Sequence, residues 1–108
     1  FILRAKEITT FIKGIPNVLP NQFELFQNFP NPFNPSTTIS YYLPANSIVT
    51  LKVYDPLGRE IETLVNGYQG VGMHTVLFNA RNFPSGVYFY SLRSLLGRNM
   101  VRKMILTK

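Results

Sequence analysis

The stretch TTISYYLPANSIVTLKVYDPLG, residues 37–58, decides the fold class. In residues 37–43, Ile39, Tyr41 and Leu43 fall on one face, and Thr38, Ser40 and Tyr42 on the other. In residues 47–55, Val49, Leu51 and Val53 share a face, with Thr50 and Lys52 opposite. A period of two marks a strand that buries one side and wets the other. Pro44-Ala45-Asn46 separates the two runs, which are therefore expected to pair as a hairpin. Asp55-Pro56-Leu57-Gly58 ends the second run. Proline presets φ at the second turn position, so this tetrapeptide suits a type I turn.

The same grammar extends outward. FELFQN (23–28) reads as a short edge strand stopped by prolines. REIETLV (59–65) reads as a strand of poor alternation near an edge, and NGYQGVG (66–72), with three glycines, as a loop. MHTVLFNA (73–80) sets His74, Val76 and Phe78 against Met73, Thr75 and Leu77. NFPSG (82–86) is a second Pro/Gly turn. VYFYSLRS (87–94) sets Val87 and Phe89 against Tyr88, Tyr90 and Leu92. LLGRN turns, and MVRKMILTK (100–108) sets Val101, Lys103, Ile105 and Thr107 against Met100, Arg102, Met104 and Leu106. Seven strands with a turn signal every ~8–12 residues predict an all-β, antiparallel sandwich.

The proline run FQNFPNPFNPS (26–36) precedes the first long strand. Its prolines withhold backbone donors and hold the chain extended. Asn28, Asn31 and Asn34 can bond their own backbone in Asx-type turns. The run is expected to cross between the sheets as a stiff corner, with Phe29 and Phe33 plugging one end of the sandwich.

The chain has 108 residues, 45% of them hydrophobic and 15% charged, which fits one folded domain rather than a disordered segment. With no cysteine, disulfides and thiolate metal sites are excluded. No run of about 18 apolar residues exists to cross a membrane as a helix. Net charge is +6, and residues 73–108 carry Arg81, Arg93, Arg98, Arg102, Lys103 and Lys108 with no acid. That end could meet nucleic acid, anionic lipid or glycan, or an acidic protein, or could be a solvated cationic face. No compact basic-aromatic platform is visible, so nucleic acid is not expected.

The motifs of catalysis are missing. His74 is the single histidine, whereas a metal site needs converging ligands. Glu60 and Glu62 are two apart in a strand pattern and are expected to share a solvated face, with nothing to build a cleft between them. No serine lies in a Gly-x-Ser-x-Gly turn. Gly67, Gly70 and Gly72 do not have dinucleotide-binding spacing. No catalytic residue, metal or cofactor is assigned. Tyr42, Tyr54 and Tyr90 could stack on a sugar, but they spread over three strands.

Taken in order, FELFQNFPNPFNPSTTISYYLP, VTLKVYDPLGREIETLVNG, GMHTVLFNARNFPSGVYFYSLRS and the closing KMILTK resemble the C-terminal sorting domain of the type IX secretion system, the type A or Por tail, over residues 23–108. That resemblance implies a seven-stranded immunoglobulin-like sandwich, non-enzymatic, at the end of an exported bacterial protein. The cargo reaches the periplasm by an ordinary signal peptide. The tail is read by an outer-membrane translocon and commonly cut by a surface sortase that joins the cargo to anionic lipopolysaccharide. The expected localisation is the cell surface. Carried over by position, the recognition residues are Pro30, Asn31, Pro32 and Phe33, then Gly86 and Tyr88, then Lys103, Met104 and Lys108. Arg102 joins the lysines in supplying charge complementarity. Phe78 stands where tryptophan is common in the family.

Residues 1–20 lie outside that pattern and read as a lead arm and linker before a domain spanning 21–108. FILRAKEITTFI is apolar and β-prone, with Ile2, Ile8 and Ile12 in one parity and Leu3 and Phe11 beside them, although a short helix fits its spacing too. An arm of this kind can add to a neighbour's sheet edge. The alternative function is therefore a self-assembling surface subunit, a homo-oligomer joined through the arm. For the sorting function, the chain is expected to be part of a longer precursor with a cargo ahead of it.

Overall fold

The computed structural model describes residues 22–95 and 97–108. Seven strands follow in order: β1 (Glu24–Leu25), β2 (Ser36–Leu43), β3 (Ser47–Tyr54), β4 (Glu60–Gln69), β5 (Gly72–Asn79), β6 (Gly86–Ser94) and β7 (Asn99–Leu106). They form two antiparallel sheets, β1-β2-β5 and β4-β3-β6-β7. The inward residues of both sheets build one core around Leu25, Ile39, Tyr41, Leu43, Val49, Leu51, Val53, Phe78, Tyr90 and Leu92. This is the expected all-β, immunoglobulin-like sandwich, with the fourth strand on the sheet of the third rather than opposite it.

Alternation decides which face each strand buries, and it does so correctly for β2, β3, β6 and β7. Tyr88, Tyr90 and Leu92 point inward on β6, as do Met104 and Leu106 on β7. The expected hairpin between 37–43 and 47–55 does not form. β2 pairs with β1 and β5, whereas β3 pairs with β4 and β6, so Pro44–Asn46 carries the chain from one sheet to the other. The hydrophobic pattern permits both outcomes, because a two-residue period labels a face and not a sheet.

β3 forms its hairpin with β4 instead, turned at Asp55–Gly58. Gly58 N–H donates to the Asp55 carbonyl at 2.9 Å, as a type I turn requires. Gly58 has φ 83°, open to glycine at little cost. Asp55 is buried and holds the turn: its Oδ1 accepts from Leu57 N and Arg59 N, and its Oδ2 from Arg59 Nε at 2.7 Å. These donors, the Arg59 backbone first, hold its carboxyl below the usual range.

β4 runs further than expected. Asn66–Gln69 stay paired with Ser47–Thr50, so the first half of the expected glycine loop is strand. Register shifts at Leu51/Lys52 and Val53/Tyr54 mark two irregularities of the β-bulge kind. The second separates the partners of Glu60 and Glu62 and so breaks the alternation on which their shared face depended. Glu60 instead pairs with Lys52 at 2.9 Å across the strands.

Candidate functional site: the corner between the proline run and the last strand

The proline run does cross from one sheet to the other, and it touches both. Phe29 exchanges backbone bonds with Thr38 of β2, and Phe33 bridges Leu106 of β7 in parallel. Phe33 N–H donates to the Ile105 carbonyl at 2.9 Å, and Thr107 N–H donates to the Phe33 carbonyl at 3.0 Å. Asn31 Oδ1 accepts from Ile105 N at 2.9 Å, and Gln27 Nε2 donates to the Lys103 carbonyl at 2.7 Å. These groups of β7 point away from β6, so residues 27–33 cover the open edge of the four-stranded sheet.

A buried polar knot sets the bend. Asn28 Nδ2 donates to Thr37 Oγ1 at 2.9 Å and to the Pro30 carbonyl at 3.1 Å, and Thr37 Oγ1 donates to the same carbonyl at 2.9 Å. The peptide bonds before Pro30, Pro32 and Pro35 are cis. Asn31 thus acts across the molecule rather than in the local Asx turn the sequence suggests. Phe33 is the plug, 1% exposed, with its ring edge-on to Phe78 at 6.1 Å. Phe29 is not: it is 80% exposed, because its backbone lies in the edge of the three-stranded sheet with the ring outward.

The second motif block meets β7 from the other side. Gly86 pairs with Leu106, and Tyr88 with Met104. Tyr88 is buried, and its hydroxyl donates to the Pro84 carbonyl four residues upstream. That is the tyrosine corner of immunoglobulin-like sandwiches, at the start of the equivalent strand. Burial raises its phenol pKa. Tyr90, one inward position on, donates to the Phe26 carbonyl at 2.6 Å, and burial pushes its pKa up to about 12.

All ten candidate residues of the motif blocks therefore gather along β7, in buried, half-buried and exposed groups, with Gly86 among the half-buried. Phe33, Tyr88 and Met104 are buried and serve packing. Arg102 is half-buried, with Nε donating to the Leu25 carbonyl at 2.9 Å, so its charge is tied to the β1 side of the corner. Pro30, Asn31, Pro32, Lys103 and Lys108 are exposed. Lys108 is also anchored, its N–H donating to Ser85 Oγ at 2.9 Å and its Nζ to the Arg81 carbonyl at 2.6 Å. Sequence reasoning missed Gln27 and Ser85, which act through long-range hydrogen bonds, and Thr37, which reaches back to Asn28 and Pro30. The arm residues Ile2, Leu3, Ile8, Phe11 and Ile12 lie outside the described residues.

Other candidates fall away. Tyr90 is fully buried and cannot stack on a sugar with Tyr42 and Tyr54. His74 stacks on Tyr41, centroids 5.2 Å apart, with Nε2 at 2.7 Å from the Gly70 carbonyl. Among the described residues no three His, Asp or Glu side chains converge, and no helix is long and apolar enough to cross a membrane.

Fold and corner together define an immunoglobulin-like module whose distinguishing feature is a surface-exposed motif clasped onto its final strand. The family model for the secretion system C-terminal sorting domain matches residues 27–107, and the chain belongs to that family, the sorting tail of type IX secretion. Among solved structures, the chain resembles PorZ, described as an essential bacterial surface component of the type IX secretion system of Porphyromonas gingivalis, with a TM-score of 0.57 and 21% identity. The match covers 78% of this chain and 11% of PorZ, so the likeness is one of fold to a small part of a much longer protein. No curated protein matches the chain.

Proposed function

We propose that residues 21–108 form a non-enzymatic sorting and anchoring domain that directs an exported bacterial protein through the outer membrane to the cell surface. The observation that carries this reading is the convergence of three separate motif blocks on β7, with Pro30, Asn31, Pro32, Lys103 and Lys108 left facing solvent. Packing explains the buried members of the motif, while the exposed ones have no core to serve. The mechanism is docking: the translocon reads the corner's shape, and the cations raise encounter rate and selectivity. A surface sortase and an anionic lipopolysaccharide are the partners that follow in this scheme.

Deleting the last five residues does not test this cleanly, since it removes the buried Met104 and Leu106 and melts the sandwich. The discriminating variant is Lys103→Glu combined with Lys108→Glu, in full-length precursor. Surface display falls and cargo collects in the periplasm, while the purified domain melts within a few degrees of the parent. Normal display of a folded double variant overturns the reading.

A further inference from the structure

A sandwich of two open sheets has four edges, and three of them are blunted. β1 is two residues long and runs into the proline segment. β7 is covered by Gln27, Asn31 and Phe33. β4 is interrupted twice and carries Glu60 and Glu62. Short edges, covers, bulges and charges are the devices by which proteins stop edges from pairing. Among the described residues β5 has none of them. It spans eight residues without proline or charge, and among the described residues only β2 pairs with it.

The register tells which groups are free. Ser40 and Thr38 direct their backbone groups to the β1 side, where they bond Phe26 and Phe29. Ile39 and Tyr41 therefore point to β5, where they lie opposite Val76 and His74. In an antiparallel ladder the backbone of successive residues points to alternate sides. Met73, Thr75 and Leu77 thus turn their N–H and C=O groups to the open edge. Their side chains lie on the outer face, with Met73 43% and Leu77 65% exposed, and Val71 just ahead of the strand is exposed too.

The geometry points to a second copy of this chain as the occupant, paired antiparallel across β5 about a two-fold axis at Thr75. Residues directly opposite in an antiparallel pair share a face, so an outward residue must meet an outward residue. Centring on Thr75 achieves this and sets Met73 of each copy against Leu77 of the other. Thr75 then exchanges both backbone bonds with its own counterpart, and a Thr–Thr pair flanked by apolar pairs is a favourable cross-strand set. Such an interface is isologous and closes on itself. Charge selects the same place. The chain carries +6, and residues 73–108 hold six cations and no acid, so two copies repel wherever those cations would face each other. Residues 68–80 hold no Lys, Arg, Asp or Glu.

The test uses the full chain in sedimentation velocity across micromolar to millimolar concentration. The parent shows a concentration-dependent dimer. Thr75→Lys, on the exposed face, keeps the parent's melting temperature and weakens the dimer roughly three- to tenfold through like charges directly opposite. The chain has no cysteine, so Thr75→Cys can be oxidised only between copies. The hydrogen-bonded pair separation of about 5.5 Å lies within disulfide reach. A covalent dimer that forms at Thr75→Cys and not at Thr50→Cys, on the outer face of the other sheet, supports the pairing. A monomer at every concentration overturns it. So does a dimer lost on removal of residues 1–20 yet indifferent to Thr75→Lys, which assigns the contact to the arm. A monomeric chain whose Thr75→Lys variant fails to reach the cell surface overturns it in favour of a strand from the secretion machinery.

Discussion

Phe33→Ala separates the structural half of the proline motif from its exposed half. The ring is 1% exposed and meets Phe78 edge-on, with Phe78 itself fully buried against Phe33 and Phe83. Truncating a buried phenylalanine removes its transfer free energy and leaves a cavity, about 3–5 kcal/mol in well-packed cores. Residual collapse is limited here, because Phe33's backbone stays bonded to Ile105 and Thr107 and cannot move inward. Domains of this size hold about 5–15 kcal/mol in all. One kcal/mol shifts a small domain's midpoint by about 4–8 °C, so a Tm loss of about 12–40 °C is expected. Phe29→Ala, in the same motif but 80% exposed, should stay within about 0.5 kcal/mol. Urea and thermal unfolding, followed by circular dichroism or tyrosine fluorescence in this tryptophan-free chain, measure both. A Phe33→Ala loss below about 1 kcal/mol, or equal losses for the two variants, refutes the plug.

Two further outcomes follow. Asp55 has a folded pKa below its unfolded value, so it stabilises the fold above the unfolded value of about 4 and loses that contribution as pH falls through the lower folded value. Urea midpoints measured from neutral to strongly acidic pH should therefore converge for the parent and Asp55→Asn at the acid end, and a constant gap contradicts this. Tyr90→Phe leaves the Phe26 carbonyl without its donor and should cost about 1–3 kcal/mol, read as a lower urea midpoint at unchanged m-value.

What the sequence discloses and what it hides divide along a physical line. Burial by alternation is a local property, so the inward sets on β2, β3, β6 and β7 can be read directly. Sheet membership is a property of pairs: Tyr41 looks the same whether its strand lies beside β3 or beside β5. The glycine of β4 misleads because Gly67 accepts an extended backbone opposite Val49 and continues the ladder. At the site, the motif residues are visible as types, yet their division into buried Phe33, Tyr88 and Met104 and exposed Asn31 and Lys103 needs the third dimension. Asn31 shows why. Its residue type announces a turn, while its oxygen serves an amide in a strand at the far end of the domain.

The clasp between the proline run and β7 also has a temporal meaning. Asn31 and Ile105 are 74 positions apart. A ribosome makes residue 31 long before residue 105, and contacts of such separation close late and slowly. Until Ile105–Thr107 exist, the run has only β2 to lie on, and its Asn31–Phe33 end lacks the partners that hold it. A chain cut short anywhere in β7 therefore lacks the finished corner, however intact the residues before it. The corner is in this sense a mark that the chain has been made through β7, legible only once that strand is in place.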